Sequence, residues 1–86
     1  MSIDLDRAQR IVIDARKILE RNKNRNESWI AAMHIRDLPE TKAAGLHELA
    51  WLLASEEYGC CYNDVNGLLE YFQKWIDDNK LAGGKQ

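Results

Sequence analysis

The chain has 86 residues, a net charge of −2, 45% hydrophobic residues, three tryptophans and two cysteines. A chain of that length makes one small domain that buries only about 60–65% of its unfolded surface, and its hydrophobic share suits a folded globule better than a disordered tail. No apolar run approaches the ~20 residues that cross a bilayer, and M-S-I-D-L-D opens without a secretory pattern, so the expectation is a cytoplasmic protein with reduced thiols and no membrane contact.

Charge is unevenly spread. Residues 1–36 carry eight Lys/Arg against five Asp/Glu, and residues 37–86 carry four against nine, balances of +3 and −5. Such polarity suits docking onto a charged partner or head to tail onto another copy. One proline, few β-branched residues and many Ala, Leu, Glu, Lys and Arg favour helix over sheet.

The first helix is predicted from Asp4 to Asn22. At about 100° per residue, Leu5, Ala8, Ile11, Val12, Ala15, Ile18 and Leu19 share one face. Asp6–Arg10 and Arg16–Glu20 are i,i+4 pairs on the outer side. Ile13 breaks the pattern by pointing nearly opposite the stripe, towards the side that Ile3 can reach. N-K-N-R-N (22–26) lacks periodicity and is a loop.

A short second helix follows, with Asn26 or Ser28 as cap and Trp29, Ile30 and Met33 facing inward. Pro39 stops it near Arg36 and suits the first turn of the third helix. That helix is predicted as one rod from Pro39 to Tyr58, ended by Gly59 as a left-handed cap. It carries two apolar seams, Leu46, Leu49, Ala50 and Leu53 with Leu52 beside them, and His47, Trp51, Ala54 and Tyr58. A helix apolar on two sides is central to its bundle or half of an interface.

The fourth helix starts after Asn63 or Asp64. Val65, Leu68, Leu69, Phe72, Trp75 and Ile76 follow the i, i+3, i+4, i+7 rule. The fold expected is all-α, a compact bundle of three long helices and one short one over residues 1–82, with a frayed tail at 83–86.

Chemical motifs are scarce. Cys60 and Cys61 are adjacent, where zinc pairs and redox motifs separate their cysteines by two or more residues; packing at a corner is their simplest role. Ser55, Gly59, Val65 and Leu68 match the positions of a helix-turn-helix, but Asp64 and Glu70 sit on the would-be recognition helix, and no basic residue precedes Lys74. L-P-E-T-K at 38–42 lacks the glycine and apolar tail of a sortase sorting signal. There is no G-x-S-x-G, phosphate-cradling glycine loop or H-E-x-x-H, so no enzymatic activity, cofactor or metal is expected.

Two functional readings follow. The first is a small helical protein-interaction module, a regulator, inhibitor or adaptor that binds a larger protein and also associates with itself, using Ile13, His47, Trp51 and Tyr58. The alternative is a nucleic-acid-binding module using the basic ridge of Arg10, Lys17 and Arg21, extended by Lys23 and Arg25. The ridge contains no aromatic residue for base stacking, and Asp14 and Glu20 lie nearby.

Overall fold

Asp4 ends an extended entry and caps the first helix: its Oδ1 accepts the Arg7 amide at 3.0 Å, satisfying one orphan donor of the first turn. That hydrogen bond is the main reason its carboxyl lies below the usual value. The structure, a computed structural model, describes residues 3–83 and is all-helical there. Five α-helices run α1 Leu5–Asn22, α2 Trp29–Arg36, α3 Pro39–Ala43, α4 His47–Leu53 and α5 Tyr62–Gly83, with a 3-10 turn at Lys23–Arg25. Four of them have seven residues or more. The tail expected over 83–86 otherwise lies outside the described residues.

α1 and α5 form an antiparallel hairpin along the long axis of a molecule measuring 44 × 21 × 16 Å. Their apolar faces are the ones the periodicity predicts. Ala8, Val12, Ala15 and Leu19 are buried against Val65, Leu68, Leu69, Phe72 and Ile76, while Trp75 is half-buried and stacks on Phe72. Polar ties run down the seam in opposite chain directions: Asp6 with Lys80 (3.6 Å), the Gln9 and Gln73 amides reciprocally (2.9 and 2.6 Å), Arg16 with Asn66 (3.4 Å) and Glu20 with Tyr62 (2.6 Å). Asp6, Arg16 and Glu20 thus tie α1 to α5 across the hairpin, where i,i+4 pairs within the helix were expected.

The connection after α1 is tighter than a loop. Lys23–Arg25 continues as a 3-10 turn, and Asn26 takes a left-handed conformation at φ 57°. α2 then packs on both α1 and α4. Its inward residues are Ala31, Ala32 and Ile35; Met33, expected inside, is exposed, and Trp29 and Ile30 are half-buried. Ser28 is buried at the start of α2, but its side chain makes no capping bond.

The rod expected from Pro39 to Tyr58 is divided. α3 ends after one turn in a Schellman closure: Gly45 sits at φ 74°, its amide donates to Lys42 O (3.0 Å), and the Leu46 amide donates to Thr41 O (3.0 Å). α4 then runs only to Leu53; residues 54–59 form turns and bends, and 60–61 are irregular. Gly59 is not in the left-handed region. It is glycine because a Cβ there would stand 1.8 Å from Leu53 O and 2.6 Å from Trp29 Cβ. α5 begins at Tyr62, earlier than an Asn63 or Asp64 cap would allow, and the Val65 amide donates to Cys61 O at 3.4 Å. The connection from Leu53 to Tyr62 is far longer than the turn of a helix-turn-helix.

Candidate protein-interaction surface

α4 is amphipathic over barely two turns. Ala50, Leu53 and the following Ala54 are buried, and Leu46 and Leu49 are partly covered. The residues left outside are large: Trp51 is 61% exposed, Leu52 45% and Tyr58 51%. Met33 on α2 is 42% exposed and lies one turn from Arg36, which borders Trp51.

Trp51 is held in place without being covered. The Arg36 guanidinium lies 4.9 Å from its ring centroid, a cation–π contact, and is itself paired with Asp37 at 3.2 Å. His47, one turn earlier on α4, tilts towards the indole with centroids 6.2 Å apart. The His47 ring is fixed in turn, since its Nδ1 donates to the Arg36 carbonyl at 3.1 Å. That carbonyl is among the unpaired acceptors at the end of α2. One imidazole therefore closes the α2 terminus and steadies the indole.

Of the predicted interaction residues, His47 and Trp51 share this edge and Tyr58 is exposed in the turns that follow α4. Ala54 of the same expected seam is buried. Ile13 is 46% exposed on α1, a helix that packs chiefly against α2 and α5, so it does not belong to the α4 edge. Apart from Arg36 on the Trp51 ring, the charges of α4 and of the turns after it are of one sign. From residue 43 to residue 73 there is no Lys or Arg, and Glu48, Glu56, Glu57, Asp64 and Glu70 are all exposed.

On α1, Arg10, Lys17 and Arg21 are exposed within one narrow arc, with Asp14 among them. Lys23 and Arg25 extend this ridge into the 3-10 turn, where Lys23 Nζ stands 4.9 Å over the Tyr62 ring. The same Tyr62 hydroxyl donates to Glu20, which is the main reason its pKa lies above the usual 10.0. A depression beside Arg16, Lys17, Glu20 and Arg21 is open to solvent and too flat to enclose a ligand.

The most buried charge carries no functional signal in the sequence. Glu40 is fully buried; its Oε2 accepts the Arg7 guanidinium at 2.5 Å and the Asp4 amide at 2.8 Å, clasping α3 to the start of α1. Burial pushes its pKa up, but the Arg7 and Asp4 hydrogen bonds and the Arg7 charge outweigh that and leave it below 4.5. Its neighbour Thr41 is also buried and donates to Ile35 O at 2.6 Å. Pro39-Glu40 reads only as the acidic first turn of a helix, and a partner 33 residues away leaves no local signal.

Cys60 and Cys61 are free and exposed at the corner before α5, not packed as small hydrophobes. Among the described residues no group of three or more His, Cys, Asp or Glu could hold a metal ion, and no helix is long and apolar enough to cross a membrane. Comparison with protein-family models found no match, and neither did searches of curated proteins and of solved structures.

Proposed function

We propose that the chain is a small helical protein-interaction module that regulates a larger protein, as an inhibitor or adaptor, by burying the α4 edge against it. The observation that supports this most is the preset Trp51. Interface energy concentrates in a few aromatic and Arg anchors, and an indole already steadied by Arg36 and His47 loses little freedom on docking. Leu52, Tyr58 and Met33 supply apolar surface around it. The proposal includes no catalytic activity, and the two free thiols suit a reducing, cytoplasmic setting.

A photo-crosslinking residue at position 52, in the full chain expressed in its own cells, tests the reading. A dominant protein adduct is expected. It should persist when extracts are raised from about 50 mM to about 200 mM salt, and disappear when Trp51→Ala is added. Absence of any protein adduct, or an adduct indifferent to Trp51→Ala, would overturn the reading.

The runner-up is nucleic-acid binding through Arg10, Lys17 and Arg21, favoured by their exposure within one arc. It requires a bound nucleic acid that is lost steeply over the same salt range and abolished by Arg10→Glu with Lys17→Glu.

A further inference from the structure

The outer faces of α1 and α4 differ in the sign of their predominant charge. The α4 edge sets Trp51, Leu52 and Tyr58 among Glu48, Glu56 and Glu57, with no exposed cation of its own besides Arg36, which Asp37 and the Trp51 ring already engage. The α1 face sets one exposed aliphatic residue, Ile13, beside Arg10, Lys17 and Arg21, with Asp14 among these cations and the exposed Asp6 and Glu20 two turns to either side of Ile13. Ile13 is 46% exposed and outside the buried cluster, so close to half of its surface is left uncovered by its own fold.

Charge decides which pairing is open to these faces. A symmetric contact of the α4 edge with itself would bring Glu48, Glu56 and Glu57 against their own copies, and a symmetric contact of the ridge would do the same to Arg10, Lys17 and Arg21. Like charges so juxtaposed disfavour both, the edge more than the ridge, where Asp14 stands among the cations. The remaining combination is ridge to edge. Within one chain it is barred, because α2 lies between, packed on α1 on one side and α4 on the other.

We propose that the α4 edge takes the outer face of α1 from a second copy of this chain, Ile13 seating beside Trp51 while Arg10, Lys17 and Arg21 meet Glu48, Glu56 and Glu57. The inference rests on the reading of the α4 edge as a docking surface and names its occupant when the chain is alone. The contact is heterologous, so each copy offers one ridge and one edge, and association continues past the dimer unless the rotation closes a ring. A partner that buries Trp51 competes with it.

Light scattering of the full chain over a concentration series up to about 1 mM tests this. At low salt the average mass should rise with concentration beyond twice the chain mass. Raising salt to about 0.5 M should weaken association about tenfold, through screening of the charged rim. Arg10→Glu with Lys17→Glu removes the ridge and Trp51→Ala removes the edge; all three side chains are at the surface, and helical circular dichroism checks that both variants fold. Each variant alone should be monomeric, and an equal mixture should form dimers that grow no further, since one functional ridge and one functional edge remain between them.

A wild-type chain that stays monomeric at low salt overturns the inference and leaves the position-52 adduct to judge the docking surface separately. A dimer that does not grow, and that the mixed variants fail to restore, overturns it in favour of a symmetric contact. If Trp51→Ala changes neither self-association nor the adduct, the docking reading falls with it.

Discussion

The α1–α5 hairpin and the α2–α4 layer bury opposite kinds of residue. In the hairpin most of the large apolar side chains are inside: Val12, Leu19, Leu68, Leu69, Phe72 and Ile76 are buried, while Ile13, Tyr71 and Leu81 are exposed. In the layer, four of the six buried core residues are alanines, Ala31, Ala32, Ala50 and Ala54, with only Ile35 and Leu53 of any size. Trp51, Leu52 and Met33 are on the outside. Apolar surface stabilises a fold by about 25 cal/mol for each Å² removed from water, so a tryptophan left out forfeits more than any other residue could. The hairpin core is built mainly from large residues and the layer core mainly from small ones; under the proposed function, Trp51 and Leu52 are left free for contact. The layer then depends on the hairpin for support, because short helices with alanine contacts are marginal alone.

Deleting a core ring from the hairpin should break the comparison most severely. Phe72→Ala is expected to cost about 3–5 kcal/mol, the transfer of a phenyl group plus the cavity it leaves, a large share of the stability of so small a domain. Trp51→Ala, which removes a larger side chain, should change stability by less than about 0.5 kcal/mol. Urea unfolding followed by circular dichroism measures both. Equal losses would mean that Trp51 belongs to the core after all, and the distinction between the two regions would collapse.

A second change tests how the layer is fastened. Gly59→Ala places a methyl where Leu53 O and Trp29 Cβ already stand, and Leu53 O, as backbone, cannot turn aside. Overpacking of this kind costs about 1–3 kcal/mol. The expected value is near the upper end, with the loss confined to the fluorescence of Trp29 and Trp51 if residues 54–61 detach first. A neutral Gly59→Ala would show that the corner is free to move away from α2.

The same division explains how much of the fold and of the site could be read beforehand. α1 and α5 are long and strictly periodic, so their bounds and buried faces follow from spacing alone, to within three residues at the start of α5. The segment from Pro39 to Tyr58 misleads because its summed helix propensity is high and Gly45 looks like a tolerable interior glycine. Its pattern is nevertheless that of a Schellman closure, a glycine followed by an apolar residue, here Leu46, with both amides donating back into the preceding turn. Met33 reads as an inward residue by its size, but Ala31, Ala32 and Ile35 form the buried face of α2. A docking surface requires Trp51, Tyr58 and Ile13 to be exposed, and all three are. What the sequence could not carry was the set of contacts between distant segments: Arg36 on Trp51, His47 on the Arg36 carbonyl, and Glu40 on Arg7 and Asp4.

That last clasp joins the two regions, so it offers the finest test of their division. Glu40 in α3 holds the Asp4 amide and the Arg7 guanidinium at the start of α1, and its pKa lies below 4.5 in the folded chain. A carboxyl depressed by folding contributes stability that is fully present above its unfolded pKa and disappears as pH falls through the folded one. Unfolding between neutral pH and about pH 3 should therefore show stability falling on the acid side of 4.5. Glu40→Gln keeps a hydrogen-bond acceptor but removes the charge. It should cost about 1.5 kcal/mol at neutral pH, within the range for hydrogen bonds to charged groups, and should flatten the acid slope. Arg7→Ala is expected to be worse than Glu40→Gln, because it leaves the carboxylate buried without its cation. If Glu40→Gln is as pH-dependent as the parent, the acid sensitivity belongs to the exposed carboxylates around α4, and the clasp is a packing contact whose charge contributes nothing.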